Sequence, residues 1–173
     1  YSVSDVPGRW DIFPSGMVCV APEEYKGEGV LVLSPGDYML VVNRYVREPV
    51  TMEIENGGIT KITGGMEAEL LRRWFSQFND ERSYHIAHVG WGNEKRANWL
   101  IPGQDNECFY ANMQIAFGSN IGIFPGAQTL CPSHIDFPCL NNSYWVDDTQ
   151  IMEMGEFLID ELKYVGLASP SRE

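Results

Sequence analysis

The sequence predicts an α+β fold in which a mostly antiparallel β-sheet core carries few helices. Short β-branched runs cut by turn residues fill the chain from Met17 to Ile62, one amphipathic segment follows, and the second half returns to short apolar runs that meet glycines. At 173 residues and 44% hydrophobic content the chain can bury a sizeable core, and residues 1–173 are read as one domain.

Taken in order, Met17-Val18-Cys19-Val20, Gly29-Val30-Leu31-Val32-Leu33, Met39-Leu40-Val41-Val42 and Val50-Thr51-Met52-Glu53-Ile54 read as strands separated by turn signals. Asn56-Gly57-Gly58, between Ile54 and Ile59, is a hairpin signature because both central turn residues need positive φ. A helix is predicted from about Met66 to Asn79, where Leu70, Leu71, Trp74, Phe75 and Phe78 recur at three- and four-residue spacing opposite Glu67, Arg72 and Arg73. Tyr84 to Val89 and Ala111 to Phe117 read as buried strands, each running into a glycine-rich bend. A strand pair at Tyr144-Trp145-Val146 and Gln150-Ile151-Met152 leads to Glu156-Phe157-Leu158-Ile159, which closes the fold.

Charge narrows the partners. Twelve basic against 24 acidic residues leave a net charge of −12, which repels phosphate backbones and anionic headgroups, so neither nucleic acid nor membrane is expected. There is no apolar run of about 18 residues and no signal-peptide pattern, so a cytoplasmic location is expected. Cys19, Cys108, Cys131 and Cys139 form no C-x-x-C pair and read as free thiols. The segment from Tyr1 to Phe13 has no initiator methionine and no helix signal, and reads as a chain beginning inside a longer protein.

The motif that carries chemistry is His134-Ile135-Asp136. In a strand, residues two apart share a face, so His134 and Asp136 can reach one ion while Ile135 turns to the core. A second imidazole must come from His85 or His88, since the chain has three histidines. If Tyr84 to Val89 alternates regularly, His85 and His88 face opposite ways; His88, beside Gly90-Trp91-Gly92-Asn93, is the candidate ligand and His85 a structural or surface residue. Two imidazoles and a carboxylate are the ligand set of mononuclear ferrous oxygenases. The same spacing also occurs in strand-end turns that hold no metal, and both readings stand on spacing alone.

Three stretches resemble a known family. Ala87-His88-Val89-Gly90-Trp91-Gly92-Asn93, Gln114-Ile115-Ala116-Phe117-Gly118 and His134-Ile135-Asp136-Phe137-Pro138 are similar to the C-terminal half of 2,5-dihydroxypyridine 5,6-dioxygenases, ring-cleaving enzymes of nicotinic acid and nicotine degradation. The likeness runs from Pro14-Ser15-Gly16 to Gly155-Glu156-Phe157 and lacks the family's N-terminal domain, which implies the C-terminal catalytic domain of a longer two-domain protein. The resemblance implies that His88, His134 and Asp136 ligate Fe(2+), and that Gln114 and Ser119 donate hydrogen bonds to substrate. It further implies an extradiol-type reaction of a small aromatic substrate with O2 and a homo-oligomer in the full-length form. Trp91 and Trp99 either wall an aromatic pocket or are plain core. No catalytic residue beyond the ligands is assigned, and the resemblance implies that the absent domain supplies a general base. The chain alone is therefore expected to bind metal yet turn over poorly.

The dioxygenases are similar in turn to the aminopeptidase T metallopeptidases, which hold two metals. That family would carry glutamates where this chain has Met17 and His88, and a histidine where it has Gln114. A thioether and a neutral amide are poor ligands for hard divalent ions, so one metal is expected rather than two. A metallopeptidase and a non-enzymatic domain with a vestigial site are the alternatives.

Overall fold

The computed structural model describes residues 16–120 and 127–163; the expected beginning at Tyr1 to Phe13, with Pro14 and Ser15, lies outside the described residues. The β-branched runs of the first half form an antiparallel sheet of β2 (Gly29–Leu33), β5 (Val50–Glu55) and β6 (Gly58–Thr63), in that order, after β1 (Met17–Val20) has joined a different sheet. Asn56 and Gly57 have φ of 50° and 73°, the paired positive values that a tight hairpin between β5 and β6 requires. The strand expected at Met39 to Val42 is cut short. β3 (Tyr38–Met39) turns at once into β4 (Arg44–Tyr45), because the Leu40 amide leaves the ladder to donate to the Asp136 carbonyl at 3.1 Å.

Helix α1 spans Met66–Ser76 and buries Ala68, Leu71 and Phe75 as the apolar spacing predicts. It stops short of Asn79: the Phe78 and Asn79 amides bond three residues back, and Asn79 has φ 48°. Glu67, expected on the polar side with Arg72 and Arg73, is instead buried, with Arg44 4.0 Å away.

Beyond the helix, β7 (Ile86–Gly92), β8 (Met113–Gly118) and β9 (His134–Cys139) pair antiparallel with β1 to give a sheet ordered β1-β7-β8-β9. Strand β7 departs from the expected Tyr84 to Val89. Tyr84 closes a 3-10 turn capped by the Asp80 carboxylate, and Gly90 and Gly92, read as a bend, stay in the strand. They are glycines because of close approach: a Cβ on Gly90 would collide with the Val18 carbonyl, and one on Gly92 with the Phe109 carbonyl. A short helix α2 (Gln104–Cys108), not anticipated in the sequence, packs on β7 and β9. The closing strands β10 (Tyr144–Val146), β11 (Thr149–Glu153) and β12 (Glu156–Phe157) form a separate small sheet.

One face of the β1-β7-β8-β9 sheet presents Val89, Ile115, Phe117, Ile135, Phe137 and Cys139, which pack with α1 and the β2-β5-β6 sheet into the main core. Alternation leaves the other face to small and polar side chains. All four cysteines are free, as expected. Among the described residues no helix is long and apolar enough to cross a membrane.

Candidate metal centre

Strand pairing puts the polar face in register. Asp136 lies opposite Ala116, and Ala116 opposite His88; in the next row Pro138, Gln114, Gly90 and Cys19 are aligned, and Gly118 faces His134. Because Ala116 projects only a methyl group between them, His88 and Asp136 lean across it and meet, with Nε2 3.0 Å from Oδ1. His134, two residues before Asp136 on β9, places its Nε2 3.2 Å from Oδ2. The two imidazoles lie 5.3 Å apart, and one ligand atom from each of His88, His134 and Asp136 falls within 4.8 Å of the others. His88 and Asp136 are buried.

The separation of His85 from His88 has a different cause from regular alternation. A register shift between Ile86 and His88 makes Ala87 an extra residue, so Ile86 faces the core and His88 the polar side. His85 precedes the strand, bridges to Gly58 and sets its ring against Tyr25 at 4.8 Å, away from the cluster.

His134 Nδ1 lies 2.7 Å from the Ser119 carbonyl, which can only accept, so Nδ1 carries a proton and Nε2 is the atom turned to Asp136. Burial opposes charge on the Asp136 carboxyl, yet hydrogen bonds from His134 and His88, and their charges, hold it well below the ordinary carboxylate value. Burial likewise opposes charge on His134, but Asp136 and the Ser119 carbonyl raise its pKa. Two imidazoles around one buried carboxylate are a donor set that suits a divalent transition ion, and iron, zinc and manganese all accept it.

Gln114 lies fully buried in the row beside the triad, about 7 Å along the strand. Neither its amide nitrogen nor its amide oxygen has a hydrogen-bond partner. Such atoms cost roughly 1–3 kcal/mol when left unpaired in a protein interior. Ser119 contributes through its backbone: its hydroxyl donates to the Thr129 carbonyl at 3.2 Å while its own carbonyl holds His134. Trp91 points to the opposite face and packs with Tyr144 and Phe157, because Trp91 pairs with Met113 rather than with the Gln114 row. Trp99 donates to the Gly36 carbonyl at 3.0 Å and stacks edge-on with Phe109. Met17 lies on β1 opposite Gly92.

The 2,5-dihydroxypyridine 5,6-dioxygenase (NicX) family model matches residues 1–159. The chain belongs to this family. The 2,5-dihydroxypyridine 5,6-dioxygenase of Pseudomonas putida is 39% identical over 170 residues, covering 93% of this chain and 48% of the relative. A solved structure of 2,5-dihydroxypyridine dioxygenase from P. putida KT2440 superposes with a TM-score of 0.82 at 40% identity, over 92% of this chain and 48% of that one. This member thus spans about half the length of the family relatives it matches.

The residue that sequence reading missed in this dioxygenase family member is Glu107. It sits on α2, and its carboxyl is pushed up to about 8 by burial and then by the charge of Asp136, with His134 acting the other way. Cys19, one row from the triad, is raised to about 12 by burial and then by Asp136 and Glu107, and stays a thiol. Glu107 is not part of the close ligand group, so it neighbours the centre without joining it. A short polar stretch with no apolar period gives no sequence signal that one of its acids turns inward.

The raised Glu107 value has a signed consequence. Its folded-state pKa exceeds the ordinary glutamate value, so its contribution to stability is present in acid and lost as pH rises towards about 8. Thermal melts of metal-free protein from pH 5 to 8 are expected to fall more steeply for the wild type than for Glu107→Gln, which is neutral throughout. Parallel profiles would place Glu107 in water instead.

Proposed function

We propose that this chain forms the iron-holding part of a dioxygenase that opens the C5–C6 bond of 2,5-dihydroxypyridine with O2 to give N-formylmaleamic acid. The convergence of His88, His134 and Asp136 on the face that also presents the unpaired Gln114 amide carries this reading. Family membership supports the reaction class. When bound, Fe(2+) supplies the one-electron chemistry with O2 that a closed-shell ring lacks, on positions this three-ligand set leaves open.

The chain's own residues do the rest. Asp136 provides the negative charge that offsets a cation, and the Ser119 carbonyl keeps His134 in the Nδ1–H tautomer with Nε2 turned inward. Gln114 offers a donor and an acceptor to the ring oxygen and nitrogen. Glu107, its carboxyl pushed up to about 8 by burial and by Asp136, stays largely protonated near neutral pH and so offers a proton beside the centre, not a base. The apolar far face keeps water from beneath the site. Both atoms of O2 end in the product, so the reaction consumes no external reductant.

Among the described residues only one group of three ligating side chains is this close, which favours one ion over the pair a metallopeptidase needs. Loading the protein anaerobically with Fe(II) tests this. One ion per chain is expected, with substrate bound only by loaded protein and O2 consumed mole for mole with substrate; two ions or none would refute the reading.

Gln114→Met should separate function from stability. Met keeps the length and removes two unpaired buried atoms, so melting temperature is expected to hold or rise while substrate affinity falls roughly tenfold. A loss of stability with unchanged affinity would make Gln114 structural.

A further inference from the structure

Glu24 lies in the connection between β1 and β2, remote in sequence from every residue of the centre, yet three donors converge on one of its oxygens. Its Oε1 accepts from the Gln128 amide at 2.7 Å, the Thr129 amide at 3.0 Å and Asn120 Nδ2 at 3.1 Å. Burial opposes its charge, but the hydrogen bonds from Gln128, Asn120 and Thr129 together outweigh that and hold its pKa below the usual glutamate value.

The network continues inward. Asn120 is fully buried; its Oδ1 accepts from the Thr129 amide at 2.9 Å, its own amide donates to the Thr129 carbonyl at 3.0 Å, and its Nδ2 also reaches the Ala87 carbonyl at 3.4 Å. Ser119 is pinned from both sides, with its hydroxyl on the Thr129 carbonyl at 3.2 Å and its amide on the Ser133 carbonyl at 2.8 Å. These contacts end beside both histidines. Ala87 is the extra residue that turns His88 to the polar face, and the Ser119 carbonyl is the acceptor for His134 Nδ1.

We propose that Glu24 is a positioning residue of the metal centre, acting through Asn120 and Ser119 to fix the orientation of both imidazoles. This rests on the metal-binding reading above. One carboxylate oxygen gathers three donors, and the buried amide it holds touches the backbone next to one ligand and lies one residue from the acceptor of the other. Outer partners that orient a metal-bound imidazole typically govern affinity by about 10–100-fold, and a residue one step further out should sit at the lower end.

The test is a Co(II) titration of metal-free protein, read by visible absorption and by dissociation constant, on the wild type, Glu24→Ala, Glu24→Gln and Glu23→Ala. Glu24→Ala is expected to bind Co(II) roughly tenfold more weakly with a shifted band. Glu24→Gln, whose amide oxygen still accepts from the backbone, should recover most of the affinity, and Glu23→Ala, an exposed neighbour paired to Lys26, should match the wild type. Should Glu24→Ala fail to fold, Asn120→Asp replaces it, because a carboxylate there repels Glu24 and loses the bond to Ala87. A folded Glu24→Ala or Asn120→Asp with wild-type affinity and spectrum overturns the proposal alone. A wild type that takes up no Co(II) overturns the metal centre with it.

Discussion

Asp136→Ala is expected to abolish uptake of a divalent ion. Asp136 is the one carboxylate in the close ligand group, and both imidazoles are turned to it, at 3.0 and 3.2 Å. Without it, a cation would be held by neutral nitrogens alone, so the loss should exceed the roughly 10–100-fold that removing an outer hydrogen-bond partner costs. Two measurements separate this from general damage. Elemental analysis after anaerobic Fe(II) loading should give one ion per chain for the wild type and none for the variant. Saturating metal at about 100 times its dissociation constant should stabilise the wild type by about 2.7 kcal/mol, or roughly 5–10 °C, and leave the variant where it was.

The metal-free variant should also be weaker. The folded pKa of Asp136 is depressed, so its stabilisation is present above the ordinary carboxylate range and lost as pH falls below it. Near neutral pH, Asp136→Ala removes that contribution and leaves His88 and His134 without their common partner. Equal metal uptake by both proteins would end the assignment of this carboxylate.

Much of this architecture is legible in the chain because it depends on local rules. Asn56-Gly57 must turn with positive φ, Leu71 and Phe75 must share a helix face, and His134 and Asp136 must share a strand face. What escapes is set by long-range contact. The bulge at Ala87, which regular alternation cannot express, arises where β7 meets β8. Gly90 and Gly92 resemble a bend in sequence, but they keep β1 and the end of α2 close to the strand. Glu107 lies in a polar stretch like any solvated one, and only the packing of α2 on β7 and β9 turns it inward. No local rule in the sequence shows that the Ser119 carbonyl will meet His134 Nδ1, a contact that folding makes across fifteen residues.

Gly118→Ala is expected to destabilise the fold and disturb the centre together, and Gly103→Ala isolates the reason. The two glycines have nearly the same φ, +108° and +106°. Alanine at either position must adopt a positive φ beyond the left-handed helical basin, at about 1–3 kcal/mol. A Cβ at Gly103 would meet nothing within 4 Å, whereas one at Gly118 would run into the Ser133 carbonyl. That carbonyl accepts the Ser119 amide, so it cannot move without shifting the peptide that orients His134. Crowding of this kind adds about 1–3 kcal/mol. Melts of metal-free protein should therefore rank wild type above Gly103→Ala and Gly103→Ala above Gly118→Ala, at about 2–4 °C per kcal/mol. In a Co(II) titration Gly118→Ala alone should bind more weakly, because only there does the relief of a clash displace the Ser119 carbonyl. Equal losses of stability with unchanged Co(II) affinity in both would show that β8 and β9 absorb the methyl group without disturbing His134.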